Sequence, residues 1–299
     1  MKRLLKVKHT ALFCSLLSAQ LAAAEPASAK PWVLAADYQY RGTDAVSHSG
    51  GVTGEFGRSR TGVELIYQTA DRAVDLEWYR YAHRFGGAIA GTDRSYGDTT
   101  DVMVTGFRQW DWTQKYGLQL IYALEFAAEE GVSLGSSHRW GLGVATRWRP
   151  DAETDIALGL LLEDRFEASV LPIPYVKAVW RPCKQAEVEL RATGLQNGFI
   201  VRGFLTEDRA TTVDFTVAYE TLSFVLADGS YGSRAVAIGE VPLRVGVTQF
   251  LEKSGTWFVR GSAEWVAYAR HSFKHAGETQ GSFQPGANWG LAARVGARF

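Results

Sequence analysis

Cysteine is nearly absent from this sequence: Cys14 and Cys183 are the two, and Cys14 falls in the leader read below. One cysteine in the remainder excludes an intramolecular disulfide. A surplus of either charge is also missing, since 32 Lys+Arg face 32 Asp+Glu. Four of those cations (Lys2, Arg3, Lys6 and Lys8) stand in the first eight residues, so the rest of the chain is mildly acidic. A nucleic-acid partner, which calls for a strong basic excess, is excluded. Beyond the leader no apolar run reaches the ~20 residues of a spanning helix. If the chain enters a membrane, it does so without helices. Neither a phosphate-cradling glycine loop nor a paired-histidine metal helix occurs.

What is present begins with "MKRLLKVKHTALFCSLLSAQLAAAEP": a cationic start, an apolar stretch from Thr10 to Leu21, and the small residues Ala22-Ala23-Ala24. This order predicts a secretory signal peptide over residues 1–24, cut before Glu25, with a single domain over 25–299.

That domain is built on a period of two. In "RWGLGVATRWRP", Trp140, Leu142, Val144, Thr146 and Trp148 share one face and Arg139, Gly141, Gly143, Ala145 and Arg147 the other. "DIALGLLLED" sets Ile156, Leu158, Leu160 and Leu162 against Asp155, Ala157, Gly159 and Glu163. "VDFTVAYE" sets Val213, Phe215, Val217 and Tyr219 against Asp214, Thr216 and Glu220. "TWFVRGSAEWVAYAR" sets Trp257, Val259, Gly261, Ala263 and Trp265 against Arg260, Ser262, Glu264 and Arg270. Such alternation marks strands with one apolar and one polar face.

The runs 31–41, 58–69, 72–82, 100–112, 116–129, 137–149, 154–166, 173–181, 185–193, 197–206, 210–225, 234–251, 256–272 and 288–299 predict about fourteen strands near spanning length. Twelve is the alternative count, because Gly106 predicts a bulge within 100–112 and the apolar residues of 197–206 alternate poorly. Tight polar turns ("TADR", "WTQK", "RPDAE", "RPCKQ", "EDRA", "EKSG") take turns with mostly longer connections, notably "GTDAVSHSGGVTGEFG", "HRFGGAIAGTDRSYGDT" and "FKHAGETQGSFQPGAN". An outer-membrane barrel has this asymmetry, with short turns at one mouth and long loops at the other.

A soluble β-sandwich also alternates. Three features favour a transmembrane antiparallel up-and-down β-barrel. The polar face is dominated by Gly, Ala, Arg, Asp and Glu, which suit a confined interior. Aromatic pairs recur eight residues apart on one face (Trp32 and Tyr40, Trp140 and Trp148, Trp257 and Trp265), with Trp289 as a further interface aromatic. At ~3.3 Å per residue and a tilt near 40°, eight residues climb about 20 Å, close to the ~25 Å apolar band between aromatic girdles. Finally, "WGLAARVGARF" alternates up to Phe299 and resembles the C-terminal assembly signal of bacterial outer-membrane proteins, though Ala297 is small for it. The resemblance implies engagement of the barrel-assembly machinery through the last strand, which must pair with the first to leave no open edge in lipid. The stretch "LPIPYVKAVWRPCKQAEVELRATG", through Pro172, Pro174, Trp180 and Pro182, resembles a family of uncharacterised bacterial outer-membrane barrels, a domain of unknown function. That resemblance implies a barrel over most of the chain and nothing about a solute.

With the Trp and Leu faces toward lipid, the lumen receives Asp37, Arg60, Glu64, Asp75, Glu77, Arg139, Arg147, Asp155, Glu163, Glu187, Glu189, Arg191, Asp214, Arg244, Arg260, Glu264 and Arg294. These charges serve either as a pore lining that selects small polar solutes or as cross-strand pairs holding the wall. His48, His83, His138, His271 and His275 are placed in or beside the long loops, and "HSFKH" without a patterned carboxylate predicts no metal. Ser137-His138 and Ser47-His48-Ser49 are the nearest nucleophile candidates. Neither reproduces the His–x–Ser–Asn–Gly signature of barrel phospholipases, so no enzyme and no cofactor is expected. The expectation is a bacterial outer-membrane barrel, surrounded by outer-membrane lipids, that passes small polar solutes, with residues 83–99 as a constriction. The alternatives are a non-transporting structural or surface-binding barrel and, behind it, a lipid hydrolase.

Overall fold

The computed structural model describes residues 30–48, 53–90, 92, 95–165, 168–193, 197–227, 235–252, 254–275 and 278–299. The signal-peptide reading of 1–24 and Ser49 lie outside the described residues. Fifteen strands follow one another: β1 (Trp32–His48), β2 (Gly54–Gln68), β3 (Arg72–Gly87), β4 (Thr99–Asp111), β5 (Tyr116–Glu129), β6 (His138–Trp148), β7 (Thr154–Arg165), β8 (Ala168–Cys183), β9 (Ala186–Ala192), β10 (Asn197–Phe204), β11 (Thr211–Val225), β12 (Ala235–Phe250), β13 (Trp257–His275), β14 (Glu278–Pro285) and β15 (Asn288–Arg298). One 3-10 turn at Leu134–Ser136 precedes β6.

From β1 to β13 each strand lies antiparallel beside its neighbour in sequence. β14 and β15 share one place in the wall, because both pair with β13 on one side and β1 on the other. Fifteen segments thus make a closed wall of fourteen strands. The seam runs from Val33 opposite Arg298 to Arg41 opposite Gly290. It finishes in a reciprocal pair of hydrogen bonds, Trp32 N to Phe299 O at 3.1 Å and Phe299 N to Trp32 O at 3.0 Å. No edge is left open along it, as a barrel in hydrocarbon requires.

The alternation sorts side chains as read. Trp140, Leu142, Val144 and Trp148 point out and are exposed, while Arg139 and Ala145 point in and are buried. The same holds for Leu158, Leu160 and Leu162 against Ala157, Leu161 and Glu163. Isolated exposed apolar residues are ordinary, but a girdle of them that runs round the wall is not a surface that water tolerates.

Four local readings change. β1 runs on to His48, β3 to Gly87 and β13 to His275, so their ladders continue well into the stretches read as loops. β14 lies wholly inside "FKHAGETQGSFQPGAN"; Glu278, Thr279 and Gln280 are exposed and polar, which hides a strand from an apolar period. Gly106 makes no bulge, since β4 keeps one register with β3 and β5 across it. Its missing side chain instead leaves room for the Tyr122 ring lying over it. A bulge does occur at Ala267, where Val241 faces Tyr268 and Pro242 faces Val266. Proline cannot donate to the ladder, and here it sits at the irregularity. The extra residue reverses the phase, so Arg270 turns outward and Ala269, His271 and Phe273 turn inward.

Candidate functional site

The site is the bore. The short turns and both ends of the described chain lie at one mouth, and the longer connections lie at the other, the loop mouth.

At the loop mouth the wall touches itself. Val225 at the end of β11 forms a parallel bridge with Ala128 at the end of β5, although six strand positions separate them around the wall. Ala227 N adds a 2.8 Å hydrogen bond to Glu129 Oε2. The pinch divides the mouth into a larger lobe, walled by β11–β15 and β1–β5, and a smaller lobe walled by β5–β11.

The larger lobe is capped by one apolar cluster, which takes in Phe56, Tyr79, Tyr81, Leu222, Phe224, Val236, Ile238, Phe273 and Phe283. The β3–β4 connection joins it by folding inward, so that Ile89 and Tyr96 are buried within it. Tyr96 and the His271 Nδ1 atom are 2.8 Å apart. The His271 ring lies stacked on Phe283 at 4.3 Å and edge-on to Phe56 at 4.6 Å. His83 lies edge-on to Tyr96 at 4.7 Å. His83 and His271 are therefore inward wall residues and not loop residues, because β3 and the bulged β13 carry them into the cap. His275 is exposed at the end of β13, apart from His271. His138 opens β6 and its Nδ1 is 3.2 Å from Gly135 O. His48 ends β1.

Below that cap, ion pairs link strands of the wall, several of them past an intervening strand. Arg41 donates to Glu240 and to Glu264 at 2.5 Å each, and Gln39 Nε2 donates to Glu264 Oε1 at 2.6 Å. Arg58 of β2 reaches Glu240 of β12 at 2.9 Å, four wall positions away. Arg244 bonds Glu264 at 2.9 Å and Glu220 at 2.6 Å. Arg260 bonds Asp214 at 2.8 Å by passing over Gly246, whose missing side chain leaves the space its guanidinium occupies. Arg294 bonds Glu64 across β1, and Arg60 bonds Asp37 at 3.0 Å. These groups are almost dry: the side chains of Arg41 and Glu264 are 6% and 2% exposed. Phe250, Phe258, Val33, Ala35 and Ile66 pack beneath them toward the other mouth.

In the smaller lobe the ion pairs run along the wall, each within a strand or between adjacent strands. Arg139 pairs with Glu125, and Arg147 Nε donates to Asp155 Oδ1 at 2.7 Å. Arg181 Nε donates to Glu187 Oε2 at 2.9 Å, Arg202 Nη1 to Glu189 Oε2 at 3.0 Å, and Arg191 pairs with Glu189. Between the charges of β6 and β7 the inward positions Gly141, Gly143, Ala145, Ala157 and Gly159 are small, and Leu161 packs over Gly141 and Gly143. Water reaches some of these charges, since Lys177 and Arg181 side chains keep 29% and 31% of their exposure. Large inward residues stand beside these charges, among them Tyr175, Leu161, Ile173, Ile200 and Phe204. Tyr175 of β8 packs with Ala145, Ala157 and Ile121, with Phe107 behind them. Glu189, Arg191 and Asp155 are its charged neighbours.

The thirteen charges carried by Arg60, Glu64, Arg139, Arg147, Asp155, Glu187, Glu189, Arg191, Asp214, Arg244, Arg260, Glu264 and Arg294 thus all lie on the inward face, divided between the lobes. Trp32, Tyr40, Trp140, Trp148, Trp257, Trp265 and Trp289 are exposed on the outward face, as is Phe299. Trp265 and Trp289 stack at 6.2 Å across β13 and β15. Ser137 Oγ donates to Leu134 O at 2.8 Å, a turn contact directed away from the adjacent imidazole. Tyr175, Ile89 and Tyr96 carry no sequence motif; the one signal for Tyr175 is an aromatic in the inward phase of "PIPYVK".

No protein-family model and no curated protein matches the chain in sequence, so the resemblance around Pro172–Pro182 gains no named family. In three dimensions it is similar to the KdgM porin in complex with disordered oligogalacturonate, at 8% identity and a TM-score of 0.37 over 87% of this chain and 97% of that one. It is similar to an outer-membrane channel from Pseudomonas putida F1, at 11% identity and a TM-score of 0.42 over 93% and 98%. It is also similar to the P. putida toluene transporter TodX, at 9% identity and a TM-score of 0.40 over 97% and 96%. At such similarity no solute carries across to this chain.

Proposed function

We propose that this protein is a channel of the bacterial outer membrane that passes small polar solutes through the smaller lobe of its bore, and that Tyr175 closes that path in the described conformation. The closed fourteen-strand wall with its apolar outward girdle supports the membrane placement, because hydrocarbon admits only helices and closed barrels. The observation that carries the path is the contrast in how charge is arranged. In the smaller lobe, ion pairs lie flat along the wall beside Gly and Ala, and the Tyr175 ring packs over Ala145 and Ala157. A bore meant only as a rigid post is more cheaply filled with apolar side chains, since buried ion pairs rarely stabilise more than well-packed hydrophobic ones.

Planar-bilayer recording tests this with wild type and Tyr175→Ala, each first checked for folding by heat-modifiable electrophoretic migration. Removing the ring is expected to raise single-channel conductance severalfold and to lengthen openings. Ile238→Ala, in the cap of the larger lobe, is expected to leave conductance unchanged. The ion pairs that span the larger lobe favour a second reading, a non-transporting structural barrel. Bilayers that stay silent with folded wild type and folded Tyr175→Ala alike establish that reading in place of the channel.

A further inference from the structure

Toward the turn mouth the smaller lobe holds an uneven set of charges. Lys177 follows Tyr175 as the next inward residue of β8, one step nearer that mouth, and Arg181 stands two inward positions further on. Beside them β9 carries Glu187, Glu189 and Arg191, and β10 carries Arg202. Each of the two acids is already taken twice. Arg181 and Arg202 bond Glu187, while Arg191 and Arg202 bond Glu189. Lys177 is left at the margin: its Nζ lies 3.8 Å from Glu189 Oε1 and donates no hydrogen bond among the described residues. Acids on the flanking strands do not make up the difference. Asp155 of β7, a charged neighbour of Lys177, is held through both oxygens by Arg147. Asp214 of β11, opposite Arg202, is held by Arg260. Lys177, Arg181, Arg191 and Arg202 thus meet only Glu187 and Glu189, a surplus of two positive charges. The set is also layered. The Glu187 and Glu189 side chains are 0% exposed, against 29% for Lys177 and 31% for Arg181. Water therefore meets the cations and not the acids beneath them. Arg202 Nη2 is a further buried donor without a hydrogen-bond partner.

We propose that the turn-mouth end of the smaller lobe is a binding site for small organic anions, with Lys177 as the contact for the anionic group and Arg181 as the cation met on the way to it. The site deepens the channel reading and rests on it for the route, since an anion at Lys177 stands one inward position from the Tyr175 ring. An ammonium offers three donors and accepts nothing, so the oxygens of an anion supply what Lys177 lacks. A surplus of one sign inside a low-dielectric wall concentrates ions of the other sign, and basic side chains lining a pore are how anion pathways select. The surplus is two charges, so a small dicarboxylate suits the site better than a monovalent ion. Glu187 and Glu189 do not repel it, because each lies dry beneath two guanidinium groups.

The test uses the full chain, folded in detergent micelles and in planar bilayers, with malonate as the dicarboxylate probe. Exchanging potassium chloride for potassium malonate of equal ionic strength is expected to raise the wild-type thermal midpoint by a few degrees, since a ligand of the folded state stabilises it. Lys177→Gln, checked for folding by heat-modifiable migration, is expected to lose that rise. Lys177→Arg is expected to keep it, as is Arg270→Gln on the outward face of β13. In a potassium chloride gradient, wild type and Tyr175→Ala are expected to favour chloride over potassium at least about threefold, and Lys177→Gln to cut that ratio by about half or more. A malonate shift absent from wild type, or equally large in Lys177→Gln, overturns the site whether or not the bilayer conducts. Conduction without a preference for chloride overturns the site and leaves the channel standing. Bilayers silent with both wild type and Tyr175→Ala remove the channel and leave the midpoint to judge the site. If Lys177→Gln does not fold, the wild-type midpoint and reversal potential decide alone.

Discussion

The two lobes of the bore use the same residue types to opposite ends. In the larger lobe Arg41 and Arg58 reach past intervening strands to Glu240 and Glu264, Arg244 joins Glu264 and Glu220 on the strands beside it, and phenylalanine rings close over them. In the smaller lobe Arg147, Arg181 and Arg202 lie down against acids on the adjacent strand and leave the middle to Tyr175. The first arrangement is a set of struts: taking out one member strands its partners in a dry place. The second is a lining in which some pairs, such as Arg202 with Glu187 and Glu189, are equally dry, while others, such as Arg147 with Asp155, keep about one-fifth of their exposure. Both lobes pair Arg with Asp and Glu, so the reach of the pairs, and the aromatic cap over one set of them, separate the two.

The comparison can be broken at graded points. The largest expected effect is Glu264→Ala. It deprives both Arg41 and Arg244 of their shared acid, and breaking such a buried pair costs about 3–5 kcal/mol. Urea unfolding in vesicles followed by tryptophan fluorescence measures it; a loss below about 1 kcal/mol would put the larger lobe in contact with water and erase the contrast. Next comes Val144→Arg, midway between Trp140 and Trp148 on the outward face of β6, in the wall of the smaller lobe. A cation at the bilayer midplane costs about 2–4 kcal/mol, and the same titration reads it. A neutral outcome would move the hydrocarbon band away from this height. The smallest is Arg147→Ala in the lining. Its pair with Asp155 is about one-fifth exposed on each side, so solvent screening holds the stability change to about 1 kcal/mol or less. It is expected to shift ion selectivity toward cations, read as a reversal potential in a salt gradient. An unchanged reversal potential would take the ions away from this lobe.

How much of this was legible in the sequence follows from the range of each interaction. A period of two is written locally, so Leu142 outward and Arg139 inward could be read without any partner in view. The seam was legible too, because an open edge in lipid is forbidden and the alternation through Trp289 to Phe299 needed a mate. Arg270 was misplaced, since one extra residue at Ala267 reverses every later side chain in β13 and nothing in "EWVAYAR" announces it. β14 escaped because its first half, Glu278 to Gln280, is polar and exposed on both faces, which leaves Phe283 and Pro285 too few to show a period. The pinch and the cation surplus lie beyond any local signal. Val225 and Ala128 are ordinary strand residues that meet only once the wall is bent, and Lys177 nears Glu189 only when the β8–β9 register is fixed. Tyr175 was visible as a residue but not as an obstacle, because its importance lies in the alanines it faces.

The seam between β1 and β15 carries a kinetic consequence. Its paired residues stand roughly 250 positions apart along the chain, the longest excursion in the molecule, and contacts between distant positions form slowly because the intervening chain must first be gathered in. Until they form, the nascent sheet has two raw borders of unmatched amides, each a template for the wrong neighbour. The waiting time of this molecule is therefore spent with its first strand unmarried, and whatever shelters that strand in the interval governs the yield more than the strength of any bond in the finished cylinder.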